Sequence, residues 1–249
     1  IAFLERNAVN SQHIVVDNIV VDIVKKDIKN LHLRVLPPKG AVRITAPLRV
    51  SDNIIRRFVT SKLAWIRKRQ LILELMDCST PVEFVSGETH PYQGRHYPLN
   101  VVFQNGRPKA ELASDGNINL YVRIGSDRVQ REKVLYNWYR SQLQDQIPGL
   151  LQKWQGIIGV ELASWSIKRM KTRWGSCVVH SARICFNLEL AKKSPACLEF
   201  IVVHELTHLL ERKHNARFKS LMDGFMPAWR EYERELNSSY LIAVGKQWE

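Results

Sequence analysis

The chain has 249 residues, room for one large or two modest domains, each with a real core. Hydrophobic content of 45% and charged content of 24% are ordinary for a folded globular protein and exclude a disordered or fibrous chain. The net charge of +13 favours anionic partners (nucleic acid, nucleotides or an acidic surface) without choosing among them. No apolar run approaches the length that spans a bilayer, so no membrane partner is expected. The opening residues IAFLERN show no secretory leader pattern. The cysteines, Cys78, Cys177, Cys185 and Cys197, form no C-x-x-C pair and read as reduced thiols, with Cys177 and Cys185 flanking a short hairpin. A cytoplasmic location is therefore expected.

In chain order, the apolar alternation of residues 13–27 predicts a strand, followed by a second over 28–36. Pro37, Pro38, Lys39 and Gly40 then turn the chain into a third over 41–46, which together suggests an antiparallel meander. Ser51 is placed to cap one long helix running to about Met76, with Ile54, Ile55, Phe58, Val59, Leu63 and Ile66 on one side. Its other side carries Arg56, Arg57, Lys62, Arg67, Lys68 and Arg69, a basic surface suited to phosphates or to plain solvation. Residues 82–124 return to strands, punctuated by Gly87, Gly94, Asn105-Gly106 and Asp115-Gly116. No internal repeat is visible. The expected division is a mostly antiparallel β domain with one long helix over 1–125 and an α+β domain over 126–249.

Asp127 opens a second long helix, expected to be interrupted near Pro148-Gly149 and to resume as far as Ile158. Strands follow over 161–168, 177–179 and 183–187. Ser194 and Pro195 then supply an N-cap and a first-turn proline for a helix over 195–213. Two short helices, over 215–225 and 227–237, close the chain. A small sheet packed beside the helix over 195–213 is expected.

That helix carries the motif His204-Glu205-Leu206-Thr207-His208. Residues four apart on a helix lie on one face, so both imidazoles can reach a single zinc ion. Glu205 lies beside them, suited to activating a zinc-bound water. The run of residues 200–203 is wholly apolar, as a buried helix requires. His214, six residues beyond His208, is the candidate third ligand, which leaves a fourth tetrahedral position open. The helix must end before it and the chain turn back. Glu211 stands where the related H-E-x-x-H-x-x-G-x-x-H pattern has Gly, which puts the metzincin turn in doubt. Glu231 or Glu235 of the last helix is the competing third ligand.

A second unusual stretch precedes the motif: Lys171, then Arg173-Trp174-Gly175-Ser176-Cys177, then Asn187 with Leu190. With His204 to His208, His214 and Phe218, these residues resemble the YgjP-like metallopeptidase family of predicted metal-dependent hydrolases. Pro47, Trp65-Ile66-Arg67, Gly87-Glu88, Gly94-Arg95 and Tyr97 extend the likeness over most of the chain. One departure is that Lys213 precedes His214 where Asn is common, with Asn215 after it. The resemblance implies a zincin-like catalytic domain behind a β-rich domain. It implies zinc held by His204, His208 and His214, and Glu205 as general base. It leaves the substrate open, since both peptide cleavage and hydrolysis of nucleotides such as UTP are attributed to the family.

Arg173 is the candidate added to the catalytic set, placed to stabilise an oxyanion or hold a substrate phosphate. His180 is a weaker electrophile candidate, and Trp174 reads as core. Three functions follow: a zinc metallopeptidase acting on polypeptide, a metal-dependent UTP pyrophosphohydrolase, and a nucleic-acid-associated module that delivers a zincin domain through its basic helix.

Overall fold

In a computed structural model of the protein, residues 12–36, 39–77 and 82–237 are described. They form an α+β structure of two compact units that divide between residues 80 and 81. The division expected at 125/126 is corrected accordingly. Its physical reason is burial, since Leu99, Ile118, Leu120 and Val122 share one core with Leu135, Trp138 and Tyr139 of the following helix.

The first unit opens with a hairpin where one strand was expected. Strand β1 (Gln12–Val16) and strand β2 (Ile19–Lys26) pair antiparallel. Asp17 and Asn18 between them take φ of 51° and 64°, the left-handed pair that a two-residue hairpin turn needs. Strands β3 (His32–Leu36) and β4 (Ala41–Pro47) complete a sheet of order β1-β2-β4-β3. β2 and β4 run parallel, so the sheet is not the antiparallel meander expected. Placing them side by side buries the apolar faces of both, Val21 and Ile23 with Val42 and Ile44. The Pro37-Pro38 part of the expected turn lies outside the described residues.

The single helix expected over 51–76 is two: α1 (Asp52–Ser61) and α2 (Leu63–Asp77). Lys62 leaves helical geometry at φ −112° and ψ 6°, and its N–H bonds the Val59 carbonyl in a tightened turn. The Ser51 side chain makes no capping bond. Ile55, Val59, Ile66 and Leu73 bury with the sheet residues in one core, while Ile54 is exposed.

In the second unit, strands β5 (Thr89–Tyr92), β6 (Arg95–Phe103), β7 (Lys109–Leu112) and β8 (Ile118–Val122) form a sheet of order β5-β6-β8-β7. Its pairings repeat those of the first sheet, antiparallel, parallel, antiparallel. The repeat is topological, which is why the residue pattern does not display it. Helix α3 (Arg128–Ile158) starts with a reciprocal capping box between Asp127 and Gln130 and runs unbroken through Pro148. The interruption expected there is overridden by packing. Leu143, Ile147, Leu151, Trp154 and Ile158 continue the buried stripe at helical spacing past the proline.

Strands β9 (Ser164–Lys168), β10 (Gly175–Val178) and β11 (Arg183–Asn187) form a second sheet of order β10-β11-β9. Helices α4 (Pro195–Thr207), α5 (Ala216–Phe225) and α6 (Trp229–Asn237) complete the unit. Cys177 lies opposite Ile184, and Cys185 opposite Ser176, so the two thiols point to opposite faces of the sheet. All three described cysteines are free.

Candidate metal centre

Helix α4 is buried on every side. Residues 200 to 207 are all buried, together with Cys197 and Leu198. Such a helix belongs to the interior of a domain. Ser194 accepts from the Cys197 N–H at 3.3 Å, and Pro195 fills the first turn. Glu199 ties the helix to α3 by accepting from Lys153 Nζ at 2.7 Å and Trp154 Nε1 at 2.8 Å. The helix stops at Thr207, short of the expected 213. The N–H groups of Leu209 and Leu210 bond Leu206 and Thr207 at 3.0 Å, winding the last turn tight. Glu211 has no left-handed φ, so the chain turns back here without the glycine of the metzincin pattern. Asn215 then caps α5 by accepting from the Phe218 N–H at 3.0 Å. An Asn directly after His214 thus starts the next helix.

His204, His208 and His214 converge. Nε2 of His214 lies 3.0 Å from Nε2 of His204 and 3.0 Å from Nε2 of His208. Tetrahedral zinc with bonds of about 2.05 Å would space its nitrogens by about 3.3 Å, so the donor set fits that ion with a small outward adjustment. His208 Nδ1 lies 3.1 Å from the Glu211 carbonyl, which can only accept. Nδ1 therefore carries the proton, and Nε2 presents its lone pair to the centre. Burial pushes His208 down to about 4. Burial, then the charges of His208 and His214, holds His204 well below its ordinary value. Neutral imidazole is the state that ligates. Phe218, buried, packs its ring against all three imidazoles at centroid distances of 4.8–5.0 Å, a contact the motif alone did not reveal.

Glu205 is 1% exposed, and its Oε2 has no hydrogen-bond partner among the described residues. Burial raises its carboxyl to about 8, and the charge of Arg173 works in the opposite direction. A buried, unpartnered carboxylate is costly unless the site uses it or a cation lies near. The wall beside it is Gly175 on the edge strand β10. A Cβ at that position would come within 2.7 Å of both Cγ and Cδ of Glu205. Glycine in the Arg-Trp-Gly-Ser-Cys stretch is thus explained by close approach. Burial, then the charge of Glu205, pushes the Cys177 thiol up to about 12.

The structure brings His204, Glu205, His208 and His214 together, with exposed Arg173 in electrostatic reach of Glu205. The competing ligands lie elsewhere. Glu231 is exposed, and Glu235 interacts with Lys193 and Cys197 at the other end of α4. His180 sits in an exposed turn at the far end of β10. Trp174 is 2% exposed and belongs to the core. Glu233 was missed by sequence reasoning. Burial raises its carboxyl, and the charge of His214 counters this, so it is an outer neighbour of a candidate ligand. Of the basic helix residues, Arg56 donates to the Val15 carbonyl at 2.8 Å and Arg67 pairs with Asp17, so both brace the first hairpin. Arg69 is buried over the Trp65 ring.

The model of the YgjP-like metallopeptidase domain matches residues 29–239. No curated protein matches the chain. Among solved structures, it is similar to the metallopeptidase zymogen abylysin of Pyrococcus abyssi at 18% identity and a TM-score of 0.35, covering 37% of this chain and 92% of that one. Jannalysin of Methanocaldococcus jannaschii, also a metallopeptidase zymogen, gives 18% identity and 0.34, covering 37% and 94%.

Proposed function

The chain belongs to the YgjP-like family, and from that premise we propose that it is a zinc-dependent metallopeptidase. One observation carries the reading: three imidazole Nε2 atoms meet beside a buried carboxylate, one oxygen of which has no partner among the described residues. Zinc in the triad would supply a Lewis acid and a water of lowered pKa. His204 and His214 would hold it from opposite sides of the turn, with His208 locked in its ligating tautomer by the Glu211 carbonyl. Glu205 Oε2 takes the proton of the attacking water and delivers it to the leaving amine. Gly175 lets that carboxylate sit against β10, and Arg173 stabilises negative charge growing on the scissile group. The free thiols, two of them on opposite sheet faces, suit a reducing compartment such as the cytoplasm. Among the described residues no helix is long and apolar enough to cross a membrane.

Arg173 favours a second reading. A guanidinium near the carboxylate also suits a nucleoside triphosphate such as UTP, cut at a phosphate anhydride. The test offers zinc-loaded protein an unfolded polypeptide and nucleoside triphosphates side by side. Glu205→Gln should retain zinc while turnover falls by about 10²- to 10⁴-fold. Glu205-dependent cleavage of the polypeptide supports the peptidase, and Glu205-dependent release of pyrophosphate alone selects the second reading. Undiminished turnover in the variant would sink both.

A further inference from the structure

Asn187 ends β11 with none of its surface exposed. Its side chain uses both donor and acceptor ends. Nδ2 donates to the carbonyls of Met170 at 2.9 Å and Arg173 at 2.6 Å. Oδ1 accepts from the N–H groups of Met170 at 3.1 Å and Glu189 at 3.2 Å. The Asn187 backbone N–H adds a bond to the Trp174 carbonyl at 2.8 Å. Four of these five bonds hold one short loop, residues 169–174, between β9 and β10.

That loop has no backbone hydrogen bond closing it on itself. Its entry is held by Arg169, which bonds Glu132 at 2.8 Å and approaches Glu189 at 3.4 Å. Its exit is Gly175, against the Glu205 side chain. Between those ends, Asn187 is the side chain that fastens the backbone. A fully buried amide is destabilising unless its groups are satisfied, and an apolar residue would fill the space at less risk. The loop it holds carries Arg173, two residues before the Gly175 that packs on the Glu205 side chain.

We propose that Asn187 is a positioning residue: its buried side chain fixes the 169–174 loop so that Arg173 is held at the metal site. The proposal rests on the hydrolase reading for its kinetic consequence, though not for the clamp itself. An Asp at 187 keeps the size and the acceptor but turns both donors into an oxygen facing two carbonyls. An Asn→Gln change keeps the groups and displaces them by one methylene.

Kinetics on zinc-loaded protein with the unfolded polypeptide test the coupling. Asn187→Asp should lower kcat by about 10- to 100-fold, the effect of a misplacement near 1 Å, with KM within about twofold. Zinc affinity should stay unchanged. Because Asn187 acts through Arg173, the Asn187→Asp/Arg173→Ala double variant should be no slower than Arg173→Ala alone. Independent, multiplying losses overturn the proposal, as does a loss of zinc in step with kcat. Hydrogen exchange on metal-free protein is the second readout, applied to both the Asp and Gln variants. Protection should fall over residues 168–176 and persist over 198–207. Unchanged exchange over 168–176 overturns the clamp whether or not any substrate is turned over. Absent wild-type cleavage would instead strike the hydrolase reading and leave exchange to decide on Asn187.

Discussion

The two four-stranded sheets have the same strand order and the same sequence of pairings. Each opens with a two-residue hairpin whose residues both take left-handed φ, 51° and 64° at Asp17 and Asn18, 47° and 77° at Gln93 and Gly94. What differs is the neighbour of each turn. The first is braced by a surface ion pair between Asp17 and Arg67. The second docks on the approach to α4: Gln93 N–H bonds the Ala191 carbonyl at 2.9 Å, and Gly94 N–H bonds that of Lys192 at 3.3 Å. A Cβ on Gly94 would lie 3.2 Å from the backbone of Ser194, the N-cap of α4. The same hairpin physics therefore serves two ends. In one unit it closes a sheet, and in the other it fixes where α4 begins.

The largest expected effect separates the units by metal. If zinc binds only to the folded second unit, it should stabilise that unit by about 4 kcal/mol at a thousandfold excess over Kd. Hydrogen exchange with and without chelator should therefore slow across α4, α5 and β10 and stay unchanged in the first sheet. Equal protection of both units by zinc would dissolve the distinction drawn between them.

A smaller effect isolates the docked turn. Alanine at Gly94 must adopt left-handed φ, at about 1–2 kcal/mol, whereas Asn18 already carries a side chain in that region and its replacement by alanine costs less. Gly94→Ala must also press on Ser194, so it should destabilise its unit by about 2 kcal/mol more than Asn18→Ala destabilises the other. Urea unfolding of both variants, each with a probe in its own unit, makes the comparison. A difference of about 1 kcal/mol or less would mean that the backbone around Ser194 relaxes freely.

These contrasts explain what the sequence made legible. The convergence of His204, His208 and His214 was legible because its signals are local. His204 and His208 share a face by helical spacing alone, and the apolar run before them announces a buried helix. Gly175 was legible only as part of a pattern, since its reason is a neighbour thirty positions away across the sheet edge. Asp17-Asn18 sits inside an unbroken alternation of apolar residues and reads as strand until pairing folds it. Pro148 misled in the other direction, because local propensity yields to a buried stripe that continues past it. The break at Lys62 has no proline or glycine to mark it. The unit boundary was missed because the strands after it look like those before it.

The smallest effects lie on the surface of the first unit, where its basic helices separate into two kinds of cation. Arg56 and Arg67 are engaged with the first hairpin, so replacing either by alanine removes a hydrogen bond or ion pair, at most about 1 kcal/mol for so exposed a pair. Arg57, Lys62 and Lys68 are exposed, and their replacement should change stability by no more than about 0.5 kcal/mol. If the first unit carries the protein to nucleic acid, those three are the residues that meet phosphates. Removing each phosphate-neutralising cation should then flatten the log-log dependence of affinity on salt by about 0.9 for duplex DNA. Fluorescence anisotropy across a salt series would read this for Arg57→Ala, Lys62→Ala and Lys68→Ala together. A slope unmoved by the triple variant would leave the cations of the first unit to solvation and return the search for an anionic partner to Arg173 and the metal centre.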